Sequence, residues 1–259
     1  MFNKYCFIFL LLVFGCALTM QGQDITNSGY ENGTTLNVLY RNDASAKIYA
    51  NTRGYGFLFR RGKHVNAKTR SYYEIDVQNL RYPKEIRVVG DAVEKRRFVY
   101  GKINNVLLLR AAVGLQNTLF SKADNKAVEV RYSYSIGPTI AFAKPYYVQI
   151  YKTAAGTSNP KAALAVFDDS NFTDNNSSIR VVGRGGFMEG LAETKIYPAI
   201  TGKFNLSFEY APYTNLIRAI ETGISLDYFP KALPIMARNP AENIVITFHV
   251  GFVFGRKWF

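Results

Sequence analysis

The stretch Ile244-Val245-Ile246-Thr247-Phe248-His249-Val250-Gly251-Phe252-Val253-Phe254 decides the fold. Ile244, Ile246, Phe248, Val250, Phe252 and Phe254 take alternate positions, and Thr247, His249 and Gly251 lie between them. Successive side chains of a strand point to opposite faces, so this alternation gives one unbroken apolar face and one polar face. An apolar face of that length fits the roughly 9–11 tilted residues with which a β-strand crosses a bilayer.

The same period of two runs outward from there. Ile220, Thr222, Ile224, Leu226 and Tyr228 alternate with Glu221, Gly223, Ser225 and Asp227, and Phe204, Leu206, Phe208 and Tyr210 alternate with Lys203, Asn205, Ser207 and Glu209. Val128, Val130, Tyr132, Tyr134 and Ile136 alternate with Glu129, Arg131, Ser133, Ser135 and Gly137. Leu107 to Leu115 alternates with a set containing Arg110, Gly114 and Gln116, and Tyr73, Ile75 and Val77 alternate with Tyr72, Glu74, Asp76 and Gln78. The earliest strand reads from about Ser45 to Arg61, with Tyr49, Tyr55, Phe57 and Phe59 on one face and Gly54 and Gly56 on the other. No helical repeat competes with this pattern, and no internal sequence repeat is visible.

Short polar connections (Gly62–Lys68, Ser121–Ala127, Ala211–Leu216) alternate with long ones rich in Pro, Asn, Ser and Gly (Arg81–Phe98, Thr153–Glu193, Phe229–Glu242). Tight periplasmic turns and larger outer loops give an outer-membrane barrel this rhythm. The predicted fold is therefore all-β: an antiparallel up-and-down transmembrane β-barrel of eight strands with long outer loops. Seven strands are legible, and single-chain bacterial barrels carry an even number. Thr35–Tyr40 is the preferred eighth strand, because it puts the short connections and both termini on one side; Pro145–Lys152 is the alternative. Ten strands follow if Thr153–Glu193 hides a hairpin.

Alternation alone does not say which face is outside, since a soluble lipocalin-type barrel buries its apolar face. The length of the apolar faces favours the membrane arrangement. So do aromatics near the strand ends, Tyr72, Tyr73, Phe120, Tyr210, Tyr228 and Phe254, where rings suit the membrane interface. The closing residues Phe252, Phe254, Trp258 and Phe259 read as a C-terminal insertion signal for the barrel assembly machinery.

The chain of 259 residues is 48% hydrophobic and 15% aromatic, enough apolar content for a folded domain. Lys4 and the apolar run Tyr5–Leu18 read as a signal peptide over residues 1–22, too short for a spanning helix of about 20 residues. Residues 23–44 form an N-terminal segment with the weak first strand, and residues 45–259 the barrel, including the long loop 153–193. Both cysteines, Cys6 and Cys16, fall in the signal peptide, so the exported chain has no disulfide and no thiolate metal site. Val13-Phe14-Gly15-Cys16 loosely matches a lipobox, which would lipidate Cys16; a cysteine inside a signal core is the favoured reading. The net charge of +13 points to phosphate-bearing lipids in an exported protein, not to nucleic acid.

On the polar face, Glu74, Asp76, Glu129, Glu209, Glu221 and Asp227 stand against Arg110, Arg131 and Lys203, with His249 among them. Eight strands leave an interior just wide enough for side chains, so these groups are expected to pair as a lumen network. No catalytic constellation is visible. His64 lies in a short turn and His249 on the lumen parity, with no His-x-Ser pair. Asp168-Asp169 does not match a calcium loop, and Gly183-Arg184-Gly185-Gly186 lacks the context of a phosphate-cradling motif. No cofactor or metal is expected. The basic residues Lys84, Arg87, Lys95, Arg96 and Arg97 in the first long loop are candidates for contact with lipopolysaccharide phosphates.

The tail Phe254-Gly255-Arg256-Lys257-Trp258-Phe259 and the motifs Phe59-Arg60-Arg61-Gly62, Tyr82-Pro83-Lys84-Glu85, Phe142-Ala143-Lys144-Pro145 and Tyr228-Phe229-Pro230-Lys231 occur in order. Together they resemble a family of outer-membrane β-barrel proteins of the Bacteroidota, over about Ile48 to the end. The resemblance implies an outer-membrane barrel without an assigned enzymatic activity and supplies no catalytic residues. The expectation is a non-enzymatic subunit of an outer-membrane complex for protein assembly or secretion, with other outer-membrane proteins or lipoproteins as partners. A lipid-modifying enzyme and a small pore are the alternatives.

Overall fold

A computed structural model describes residues 40–66, 68–90, 97–121, 128–152, 161–166, 179–210, 215–237 and 239–258, with backbone alone at 151–152, 161–164 and 179–180. The signal peptide, Cys16, Lys95, Arg96, Asp168, Asp169 and Phe259 lie outside the described residues. Among the described residues every regular element is a strand.

In chain order the strands are β1 (Asn42–Asn51), β2 (Gly54–His64), β3 (Thr69–Leu80), β4 (Arg87–Val89), β5 (Arg97–Val99), β6 (Asn104–Phe120), β7 (Glu129–Pro145), β8 (Tyr147–Lys152), β9 (Lys161–Val166), β10 (Ile179–Arg184), β11 (Lys195–Glu209), β12 (Leu216–Leu233) and β13 (Glu242–Trp258). Eight of them close an antiparallel barrel in the order β1-β13-β12-β11-β7-β6-β3-β2. Each barrel strand pairs with the next one along the chain, and β1 meets β13 from Asn42↔Trp258 to Asn51↔His249. The barrel is up-and-down, and closure leaves no free sheet edge between its first and last strands.

The eighth strand lies inside the stretch read as one. Ser45–Arg61 is not a single strand but most of the β1–β2 hairpin, turning at Thr52-Arg53 with Asn51 opposite Gly54. Asn51 Oδ1 accepts a hydrogen bond from Arg53 N at 2.9 Å, and Gly54 sits at φ +142°. An Asn side chain that closes its own turn and a Gly that tolerates positive φ make this corner. A two-residue turn also flips the parity, so Tyr49 points inward while Tyr55, Phe57 and Phe59 point outward. Of the other candidates, residues 35–39 lie outside the described residues. Tyr147–Lys152 is a strand, but in a separate sheet ordered β10-β8-β9. The stretch 153–193 therefore holds strands that add nothing to the barrel wall.

β2, β6 and β11 finish, and β3, β7 and β12 begin, at one end of the barrel, where β1 begins and β13 finishes; this is the turn end. The opposite, loop end carries the Thr52-Arg53 turn and the described residues of the stretches 81–103, 146–194 and 234–241. The β4–β5 hairpin and the β8–β10 sheet pack together there around Phe98, Tyr146, Val148 and Ile150. The expected rhythm of short and long connections thus has one exception, the tight turn of the first hairpin.

The outer wall is apolar. Ile48, Phe57, Ile75, Val113, Ile136, Phe204, Ile224 and the whole series from Ile244 to Phe254 are exposed on it. From Ile244 to Phe254 the strand runs roughly 34 Å at ~3.4 Å per residue, or about 26 Å along the axis at a tilt near 40°. That is the height of the apolar band of a transmembrane barrel, about 25 Å. Tyr73, Phe120, Tyr210, Tyr228 and Phe254 stand outward near the strand ends. Tyr72 departs from the expectation: it is buried in the lumen, with the Arg60 guanidinium 4.5 Å from its ring.

Candidate functional site

The lumen is filled in layers. Toward the loop end it is apolar: Leu80, Leu108, Ala141, Phe229, Leu233 and Val245 are buried there, and Ile235 and Met236 of the last loop pack onto them. That loop is held by Ile103 N to Ile235 O at 3.0 Å, Asn104 Nδ2 to Pro234 O at 2.8 Å and Ala237 N to Gly101 O at 2.8 Å.

Below this plug Arg110 lies fully buried. Its Nε and Nη2 donate to the two oxygens of Asp227 at 2.9 and 2.7 Å, and its Nη1 reaches Asp76 at 3.0 Å and Gln78 at 2.6 Å. A two-pronged Arg–carboxylate pair fixes geometry as well as charge. Asp76 also accepts from the Tyr49 hydroxyl at 2.6 Å and from Lys203 at 2.7 Å.

One layer further toward the turn end, Glu221 is shared by Lys47 at 2.7 Å and Arg60 at 2.8 Å. Arg60 extends to Glu74 at 3.0 Å, and Lys203 approaches the same carboxylate at 3.2 Å. His249 Nε2 lies 2.9 Å from Asn205 Oδ1 and 3.4 Å from Lys47 Nζ. At the turn end Arg70 meets Asp43 at 3.0 Å, Arg131 bridges Glu129 and Glu209 at 2.7 Å each, and Lys257 reaches Glu209 at 2.8 Å.

The structure thus brings together every residue expected in the lumen: Glu74, Asp76, Arg110, Glu129, Arg131, Lys203, Glu209, Glu221, Asp227 and His249. It adds Asp43, Lys47, Tyr49, Arg60, Arg70 and Lys257. Two signals were available for the additions. Asp43, Ser45 and Lys47 alternate with Ala44, Ala46 and Ile48, and Arg60 has the parity of Leu58 and Gly62 once the hairpin is placed. Lys47, Arg60, Arg70, Arg110, Arg131, Lys203 and Lys257 balance Asp43, Glu74, Asp76, Glu129, Glu209, Glu221 and Asp227. Among the described residues the ions of the lumen therefore cancel. Removing water from these ions is costly, and their mutual pairing offsets that cost.

His249 is enclosed by the wall, and His64 ends β2, where its backbone N–H bonds Arg41 O at 2.9 Å. Among the described residues no group of three His, Cys, Asp or Glu side chains is placed to hold a metal ion. Gly183 and Arg184 finish β10, and Gly185 and Gly186 make room for the Glu189 carboxylate, which accepts from Gly186 N at 2.7 Å. Tyr82-Pro83-Lys84-Glu85 is also a turn, closed by Glu85 N to Tyr82 O at 3.2 Å, with Glu85 accepting from Lys102 at 2.6 Å. Of the loop cations, Lys84, Arg87 and Arg97 are exposed at the loop end.

On the wall, Phe252 and Phe254 are exposed, and Trp258 lies near the Arg61 guanidinium, 5.8 Å from ring centre to carbon.

No protein-family model matches the chain, and no curated protein matches it. Among solved structures, Neisserial surface protein A is similar with a TM-score of 0.40 at 8% identity, over 85% of this chain and 97% of that one. Ail, the attachment invasion locus protein of Yersinia pestis, crystallised with the heparin analogue sucrose octasulfate, gives a TM-score of 0.40 at 7% identity, over 85% of this chain and 100% of that one.

Proposed function

We propose that the protein is an integral outer-membrane barrel that acts without catalysis, as a structural or accessory subunit of an outer-membrane complex concerned with protein assembly or secretion. The observation that carries this reading is the inversion of the barrel: an apolar wall about one bilayer tall around a neutral, filled ionic lumen. A buried backbone must satisfy its own hydrogen bonds in lipid, and a closed barrel does so. With the turn end in the periplasm, the loop end faces outward. Lipopolysaccharide phosphates are the proposed contacts of Lys84, Arg87 and Arg97 there.

Two features support the accessory role over the alternatives. Among the described residues the carboxylates of the lumen are paired with its cations, and eight strands leave an interior just wide enough for the side chains that fill it. The loop end also exposes the apolar side chains Ile86 at 68%, Phe187 at 77% and Met188 at 74%, which we take as contacts for a partner. The test is isolation of a tagged chain from native membranes after mild crosslinking. Co-recovery of defined outer-membrane proteins or lipoproteins, lost when Ile86, Phe187 and Met188 are replaced by Ser, is expected. Recovery of the barrel alone in every detergent overturns the complex.

A further inference from the structure

We propose that the wall at the turn end holds a site for one anionic phospholipid, its phosphate between Arg61 and Arg256 and an acyl chain in the adjoining trough. The proposal rests on the reading that the barrel spans the outer membrane with its turn end in the periplasm.

The register supplies the phosphate site. On the outward face Ala44 pairs with Arg256 on one side and with Arg61 on the other. Strands about 4.8 Å apart put those two Cα atoms roughly 10 Å from each other, with a single methyl group between them. One row nearer the turn end, Asn42 is flanked in the same way by Trp258 and Lys63. Guanidinium groups match phosphate oxygens in pairs, and long cationic side chains lay their stems on apolar surface while keeping the charge at the interface.

The trough adjoins it. A groove of about 1000 Å³ runs across the wall from Asn42, Arg61 and Lys63 to Tyr134 and Ile136. It exists because Ser71, Val113 and Leu115 are short beside Tyr73 and Tyr134. The cross-strand rows Lys63–Ser71–Leu115–Tyr134 and Arg61–Tyr73–Val113–Ile136 form its floor and banks. The cations therefore sit at one mouth of an otherwise apolar furrow, as a headgroup and its tail require.

Charge complementarity selects the occupant. Arg41, Arg61, Lys63, Lys68, Arg218 and Arg256 are exposed at the turn end. Among the described residues no exposed carboxylate accompanies them. Asp43, Glu129 and Glu209 at this level turn inward onto Arg70, Arg131 and Lys257. Among the described residues the positive potential is thus uncompensated on the lipid side, where each basic residue near an anionic surface adds about fivefold in attraction.

Trp258, the single tryptophan of the chain, reports on the site directly. The full exported chain is reconstituted in phosphatidylcholine vesicles that carry a minor, equal fraction of either bromine-labelled phosphatidylglycerol or bromine-labelled phosphatidylcholine. The phosphatidylglycerol label should quench Trp258 several-fold more strongly. The difference should vanish in R61Q/R256Q, and also in A44F, which keeps both charges but fills the space between them on a lipid-facing position. Equal quenching by the two labels overturns the site, as does a preference that persists in both variants. Absence of quenching by either label shows that the wall is not in lipid and overturns the membrane reading together with the site.

Discussion

Tyr49 lies directly across the first hairpin from Gly56, and its hydroxyl donates to Asp76 Oδ1 at 2.6 Å. The ring occupies the space that a side chain at 56 would need, so the glycine is what lets the hairpin deliver a phenol to the centre of the ionic lumen. Asp76 in turn holds Lys203 and Arg110. The shortest strands of the barrel are thereby tied to its far wall by one carboxylate.

Gly56→Val should destabilise the barrel by about 1–3 kcal/mol, the usual cost of overpacking. Tyr49→Phe removes one hydrogen bond to a charged group, for which about 1.5–3 kcal/mol is typical. Asp76 keeps Lys203 and Arg110 in that variant, so its loss should fall at the low end. Urea titrations followed by the heat-modifiable shift on gels measure both. A Gly56→Val midpoint equal to that of the native chain would contradict the packing.

Among the described residues Glu221 is the sole carboxylate that Lys47 is paired with, while Arg60 has Glu74 as well. Glu221→Gln therefore strands Lys47, and breaking a buried pair in this way costs about 3–5 kcal/mol. Adding Lys47→Met removes the stranded charge and should recover part of the loss. A double variant less stable than Glu221→Gln alone would show that Lys47 has another source of stabilisation.

Much of this architecture was legible because a period of two cannot be hidden: each of β3, β6, β7, β11, β12 and β13 shows in its own residues. What escaped was the β1–β2 corner. Tyr49, Tyr55, Phe57 and Phe59 share a parity, and a single long strand explains that parity as well as a hairpin does. The local chemistry of Asn51-Thr52-Arg53-Gly54 separates the two, since Asn at the first and Gly at the last position mark a turn. The error carried into the site. Read as one strand, Ser45–Arg61 puts Lys47 and Arg60 on opposite faces; the hairpin turns both into the lumen. At Tyr72 the aromatic ring near a strand end points to the membrane interface and the parity with Glu74 and Asp76 points inside; the parity wins.

The filled lumen makes a prediction about transport. Leu80, Phe229, Leu233 and Val245 close one end, and Ile235 and Met236 fold over them. Arg110, fully buried, spans the layer beneath from Asp227 to Asp76. The purified barrel should give no stepwise conductance in planar bilayers. Stable channel openings would require this core to rearrange and would revive the pore.

The remaining alternative, chemistry on membrane lipids, turns on His249. An acyl hydrolase working on bilayer lipid needs its base at the outer face, within reach of the ester. His249 instead projects between Asn205 and Lys47, with its ring tilted 5.5 Å from that of Tyr49. Replacing it with Ala should leave the cellular profile of lipid A and phospholipids unchanged, and so should His64→Ala. The His249 variant should nevertheless unfold more readily, by about 1–3 kcal/mol, because Asn205 loses a buried hydrogen-bond partner. A changed lipid profile with unchanged stability would be the signature of a base, whereas the reverse pattern is that of a hydrogen bond inside a packed barrel.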